Sequence, residues 1–398
     1  MPFLNRWRST LFTRVNFTIF ALLAISYLSL NQYVAGRAKW VHSPLDVGDW
    51  LINYQGGFVR RGLAGQIFYR LFSGSHHDLG LTVMVFEAVV LTLVAITVGY
   101  LVLGSKSPWV AWIVLSPVAF VFSAYDTPGG FHKENLLILA LALAAVATRT
   151  TPRLANFWLG VALAVFVLVL FSWEPAAFSL PVAWWTIGRT RLSTRHIRNW
   201  RYTWVTIGLV GFALSVLFHG SAHQTSAICQ SLLTHHLSVA TICTGSVQSL
   251  SITTGTELTF VGAHFPHYLW YIPWYLLTLL PFLFSGWLRR HWQIASAVGL
   301  ANFLLFVAGS DYGRWIHILG ASLALVWLTS DDRLRVGTKP SWRERIALVA
   351  FISLWSAPWS GNPELWKGLA VSAYRNLSHP IGFYYPWFYS TLVHALFH

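Results

Sequence analysis

Five short polar words hold the groups in this chain that could do chemistry. Asp46-Val47-Gly48-Asp49-Trp50 sets two carboxylates at i, i+3, which share one face if the segment is helical. Neighbouring charge can then raise one pKa, and Asp49 or Asp46 becomes a candidate general base; a solvated loop acid or an N-cap is the other reading. Gly56-Gly57-Phe58-Val59-Arg60-Arg61-Gly62 presents two planar forks suited to phosphate oxygens, between glycines that let backbone approach an anion. A phosphate or pyrophosphate site is one reading of it; arginines resting on lipid headgroups are the other. Asp126-Thr127-Pro128-Gly129-Gly130-Phe131-His132-Lys133-Glu134-Asn135 packs acid, imidazole and amine into one turn, more than a plain turn needs. Glu174, in Ser172-Trp173-Glu174-Pro175, is either a helix-capping acid or a site acid. Ser310-Asp311-Tyr312-Gly313-Arg314-Trp315 pairs Asp311 with Arg314, as site residues or as a mutual neutralisation at membrane depth.

The elements that must position these words are read from the apolar pattern. Of 398 residues, 55% are hydrophobic and only 10% charged, with mean hydropathy +0.55. Apolar runs of about 17–22 residues must be helices, because the bilayer core offers no water to unpaired backbone groups. Their continuous, non-alternating character excludes an outer-membrane barrel. Spans are expected near 15–36, 79–103, 108–124, 135–148, 155–172, 175–188, 202–218, 268–287, 293–309, 314–329 and 345–359. A twelfth or half-inserted segment lies at 381–397. The expectation is an all-α polytopic membrane protein of about 11 (10–12) transmembrane helices, with 1–398 forming a single transmembrane domain.

Charge sets the orientation. Counting gaps alternately, eighteen Lys/Arg fall on one side and nine on the other, so the richer side is read as cytoplasmic. The run Val15 to Tyr33 follows Arg6, Arg8 and Arg14 and ends without a small-x-small cleavage site, which reads as a retained signal anchor. The protein is therefore expected in a bacterial inner membrane, multi-pass, with its N-terminus in the cytoplasm. The C-terminus lies outside if 381–397 is interfacial, as its Tyr384-Tyr385-Pro386-Trp387 start suggests, and inside if that segment spans. The net charge of +14 is assigned to anionic headgroups, not to nucleic acid. Nine of the thirteen acids fall on the outer side by this topology.

Two outer loops stand out. Segment 37–78 contains 58–72, whose apolar residues recur at helical spacing between basic ones, as in an interfacial helix. Segment 219–267 carries no Lys or Arg but holds both cysteines, Cys229 and Cys243. An oxidising compartment would let them pair, closing a loop of about 15 residues worth ~3 kcal/mol; two free thiols are the alternative. His264, His267, His219 and His223 have metal-like spacing but lack a third ligand, so no metal site is assigned. A phosphate-cradling Gly-rich loop and a serine hydrolase elbow are both missing. Mid-helix regions are almost uncharged, Glu87 excepted.

The layout resembles the GT-C superfamily of polytopic glycosyltransferases, which take a sugar from a polyprenyl-phosphate carrier on the non-cytoplasmic face. There the first helix is followed by a long outer loop with an essential acid and interfacial helices, matched here by Asp46/Asp49 and 58–72. Later outer loops there supply cations for the carrier phosphate, matched by Arg60, Arg61, Lys133 and Arg314. The chain departs in lacking the C-terminal extracytoplasmic domain of larger members. The resemblance implies a GT-C-like bundle acting on a lipid-linked sugar donor and a glycan or lipid acceptor, among membrane lipids. Asp49 is expected to be the base, ahead of Asp46, with Asp126 in reserve. Arg60, Arg61, His132, Lys133, Glu174, Asp311 and Arg314 are expected around substrate and phosphate. No cofactor is called for, though a divalent metal stays open, and nothing sets an oligomeric state. A Wzy-like polysaccharide polymerase or ligase also places outer arginines on lipid pyrophosphate. A transporter or flippase for a lipid-linked or anionic solute is the remaining alternative, and it should carry charge near the bilayer midplane.

Overall fold

Helix Glu134–Ala147 is apolar on every side, the pattern of a helix surrounded by protein. All of its residues except Leu143 are buried. At 1.5 Å per residue it is about 21 Å long, shorter than the ~30 Å hydrocarbon core, so neighbouring helices must shield its ends. Helix Tyr312–Thr329 is likewise buried along its whole length. Around these two the rest of the chain is arranged.

The computed structural model describes residues 2–36, 43, 45–72, 79–233, 242–252, 255–256, 259, 261–263, 269–309, 311–335 and 341–357. Among them every regular element is helical. The α-helices of five or more residues are, in chain order, α1 (Pro2–Ala35), α2 (Asp46–Trp50), α3 (Gly62–Phe72), α4 (Leu79–Val102), α5 (Val110–Val114), α6 (Glu134–Ala147) and α7 (Pro152–Leu170). Then follow α8 (Leu180–Gly188), α9 (Thr194–Leu217), α10 (Ala222–Leu233), α11 (Ile272–Phe284), α12 (Trp292–Ala308), α13 (Tyr312–Thr329) and α14 (Trp342–Ser353). Four segments are long and apolar enough to cross a membrane unaided: Arg14–Ala35 within α1, then α4, α7 and α9. Shorter apolar helices, α6, α11 and Trp292–Val307, pack among them.

One expected span is broken. The run 108–124 forms only α5, leaves helical geometry at Leu115, and resumes as one turn at Phe122–Tyr125. The reason is Pro117, which disfavours helical backbone at Ser116 before it. The run 175–188 opens as a 3-10 turn, Glu174–Ser179, before becoming α8. Of the segment 58–72, Gly62–Phe72 is helical as α3, with Ala64 and Phe68 buried while Ile67 and Leu71 are exposed. The segment 381–397 lies outside the described residues, as do His264 and His267.

Contacts sort the helix connections into two ends. At one end Arg149 donates to the carbonyls of Tyr100 (2.8 Å), Leu103 (2.9 Å) and Leu101. There too the Arg333 carbonyl accepts from the amides of Lys106 (2.7 Å) and Ser107 (3.1 Å). Asp332 gathers Arg290 (2.5 Å), His291 (2.7 Å) and Arg335 (2.7 Å) beside them. The opposite end collects the polar words.

At that end α10 lies over the first loop. Gln224 Nε2 donates to the Phe58 carbonyl (3.0 Å), and Asn53 Nδ2 donates to Ser231 Oγ (3.1 Å). Cys229 of α10 is disulfide-bonded to Cys243, with Cα atoms 6.0 Å apart, so the expected pairing is present. The bridge ties α10 to the helical turn that packs against α2, where the Ile242 carbonyl would stand 2.8 Å from any Cβ on Gly48. Non-reduced mass spectrometry is expected to recover one peptide pair containing both cysteines. Reduction should then cost on the order of 3 kcal/mol; free thiols in the native protein would reject the pairing.

Candidate functional site

The site starts from α2, a single helical turn whose five residues are all buried. Ser43 starts it, its hydroxyl accepting the Asp46 amide (3.2 Å) and donating to the Asp46 carboxylate. One turn of helix sets Asp46 and Asp49 on one face, and they meet two consecutive residues of the next polar loop. Asp46 Oδ1 lies 3.2 Å from His132 Nε2, and Asp49 Oδ2 lies 3.2 Å from Lys133 Nζ. The result is a two-rung ladder between α2 and the start of α6.

Lys133 is fully buried. Its ammonium donates to the carbonyls of Asp49 (2.8 Å) and Ser172 (2.7 Å) and faces the Asp49 carboxylate, which uses all three of its protons. Ser172 Oγ also accepts the Ala64 amide (3.1 Å). Lys133 therefore joins the first loop, α6 and the tip between α7 and α8. The amine expected to face a phosphate is committed to the protein itself.

The charges around both carboxylates favour their ionised forms. Burial pushes Asp49 up, but Lys133, then Arg61 and Arg314, outweigh it and hold the group below the usual carboxylate range. Burial likewise raises Asp46, and the hydrogen bond and charge of His132, with help from Ser43, bring it below that range. The expectation that one acid would raise the other is overturned here, because Asp49 faces Lys133 and Asp46 faces His132. Burial pushes the Lys133 amine down, against the opposing pull of Asp49.

The arginine word closes on Glu174. Arg61 Nε and Nη2 each lie 2.8 Å from a Glu174 oxygen, a two-point fork. Arg60 Nη1 makes a longer contact of 3.4 Å to the same acid. Arg61 takes a left-handed backbone (φ 66°), uncommon for a residue with a Cβ, and Gly57 (φ 102°) turns the chain before it. Two of the neighbouring glycines, Gly56 and Gly62, face protein. A Cβ on Gly56 would meet the Gln224 backbone at 2.9 Å, and one on Gly62 the Tyr54 ring at 2.2 Å. They serve close packing of protein on protein.

Arg314 bonds to Glu134, and its Nη1 lies 2.9 Å from Asp311. Its charge reaches Asp49 and Asp46, as that of Arg61 reaches Asp49 and Asp311. Asp46, Asp49, Arg60, Arg61, His132, Lys133, Glu174, Asp311 and Arg314 thus form one electrostatic cluster. Asp126 has a local task instead: its carboxylate accepts the Gly129 amide (3.2 Å) and caps the turn Thr127–Gly130.

Buried cations at this depth need an anionic partner. The protein's own acids meet that need, one or two per cation. What the cluster leaves open is acceptor capacity. Asp49 Oδ1 and Glu134 Oε2 are buried with no hydrogen-bond donor among the described residues. Two participants were missed: Tyr33, which bonds the Glu87 carboxylate, and Glu134 as the main partner of Arg314. The lone acid in the apolar run of α4 was the signal for the first.

Glu174 gives a direct test of the ion-pair geometry. Burial raises its carboxyl, but Arg61 and then Arg60 bring it down to about 2 from 4.5. A depressed acid contributes stability that is fully present above the unfolded value and lost as pH falls through the folded one. Thermal unfolding in detergent should show ~3 kcal/mol lost between about pH 4.5 and 2, absent from Glu174→Gln. Identical acid sensitivity in that variant would show that the fork contributes nothing.

Residues 14–266 match the family described as "Uncharacterised membrane protein Rv1490". The chain belongs to this family. The match runs from α1 through α10 and takes in α2, both arginines, the His132-Lys133 pair and Glu174, while Asp311 and Arg314 lie beyond it. The family is one of membrane proteins, in keeping with the four long apolar helices. No curated protein and no solved structure matches the chain.

Proposed function

We propose that this protein is a GT-C-like membrane glycosyltransferase of about eleven spans. It sits in a bacterial inner membrane with its N-terminus in the cytoplasm, and moves a sugar from a polyprenyl-phosphate carrier to an envelope glycan or lipid. The observation that carries this reading is Asp49: buried against Lys133, with no hydrogen-bond donor to Oδ1 among the described residues, and beside an arginine fork. An acceptor hydroxyl would give its proton to Oδ1, and its oxygen would bond to the anomeric carbon. The bond from that carbon to the carrier phosphate oxygen then breaks, and the phosphate leaves with the electron pair. Arg60, with its longer contact to Glu174, is the cation readiest to turn toward that phosphate.

A groove of about 380 Å³ supports the lipid part of this reading. Ala64, Ile67, Phe68, Leu71 and Phe72 of α3 form one wall, with α4 and Leu168 of α7 opposite. Its lining is almost wholly carbon, and it begins one turn from Arg60 and Arg61. That is the relation an isoprenoid chain and its phosphate require.

Membranes containing the protein should transfer label from a radiolabelled polyprenyl-phosphate sugar to a larger acceptor. Arg60→Ala should raise KM for the donor about tenfold with little change in kcat. No label transfer across a panel of such donors would end this reading. The transporter alternative gains from the self-paired cations and from Glu87 inside a span, features suited to a polar path through the bilayer. Uptake of an anionic solute by proteoliposomes, without any transfer, would favour it.

A further inference from the structure

Glu87 is the only charged residue in α4, and it is 2% exposed. A carboxyl within a membrane span is costly and is kept where it has a task. Here both of its oxygens are taken. Oε1 accepts the indole N–H of Trp50 at 2.6 Å, and Oε2 accepts the hydroxyl of Tyr33. The donors come from different elements, α2 and α1.

Each donor touches one side of the ladder. Trp50 follows Asp49 directly, and its ring face lies 5.6 Å from Lys133 Nζ. Phe86 packs edge-on against that same ring, with centroids 5.3 Å apart. Tyr33 stacks on Phe131 at 3.9 Å and 8°, and Phe131 immediately precedes His132. One carboxyl therefore fixes an aromatic ring behind Asp49 and another behind His132. The turn of α2, only five residues long, has little of its own to hold it in register.

We propose that Glu87 is a positioning residue: from inside the span it holds Asp46 and Asp49 in register with His132 and Lys133. Its importance for transfer rests on the reading of Asp49 as the base; its effect on the register does not. Glu87→Gln keeps one acceptor for Trp50 and offers an amide donor to the Tyr33 oxygen. Glu87→Met keeps the volume and loses both bonds.

Hydrogen exchange on the full chain in lipid nanodiscs reads the register directly. Glu87→Met should speed exchange of amides in 45–53 by roughly tenfold or more, with α6 and α13 unchanged and Glu87→Gln near wild type. If Glu87→Met does not fold, Trp50→Phe removes one of the two bonds and should give a smaller acceleration in the same peptide. Wild-type protection in the folded variants would overturn the proposal, as would equal loss in Glu87→Gln. In the transfer assay kcat should fall at least about tenfold in Glu87→Met, with KM unchanged, and return in Glu87→Gln. Should the wild type transfer nothing, the glycosyltransferase reading fails while the exchange result still decides the role of Glu87.

Discussion

Asp49→Asn is expected to lower transfer by on the order of a thousandfold while donor binding stays within about threefold, the loss typical of a removed general base. The substitution is nearly isosteric. The amide oxygen can still accept from Lys133, and the Asp49 carbonyl, 2.8 Å from Nζ, is untouched. The ladder should keep its shape, and what disappears is the charge at Oδ1. Losing that charge also removes the main opposition to burial at Lys133, whose pKa should drop further. Donor binding is read from KM and from competition by the unlabelled carrier. A variant with near-normal kcat would clear Asp49 of the base role and move it to the Asp46–His132 rung. That rung has its own test, because Asp46→Asn should then become the inactive variant.

Much of this arrangement could be read from residue types, and the unread part has a common cause. The i, i+3 spacing of Asp46 and Asp49 required a shared face, and α2 supplies it. The spans expected at 155–172 and 175–188 leave only Trp173 and Glu174 between them, and α7 ends just before, with Glu174 beneath the arginines. Partner choice was not legible. Nothing local says that Arg61 meets an acid 113 positions away, or that Arg314 meets Glu134 across 180. The words were therefore read as facing a ligand when most of their charge faces the protein. The broken 108–124 run has the opposite lesson. Its hydropathy suits a span, and a single X-Pro step decides against it. Glu87 shows the limit of composition most clearly, since an isolated acid announces a task but not which two side chains it holds.

Lys133→Met should cost about 3–5 kcal/mol, because it leaves the Asp49 carboxylate buried without its principal cation. Three contacts of the ammonium disappear together, and the Ser172 and Asp49 carbonyls lose the donor that joins the first loop to the α7–α8 tip. Thermal unfolding of detergent-solubilised protein, followed by the fraction remaining monodisperse, measures the loss. Asp49→Asn/Lys133→Met removes both charges and should recover a large part of it, a coupling typical of residues in direct contact. A phosphate-binding lysine would behave differently. Its replacement would raise KM for the donor, leave thermal stability near wild type, and gain nothing from the second substitution. Stability lost in the single variant and regained in the double one places Lys133 among the groups that build the site.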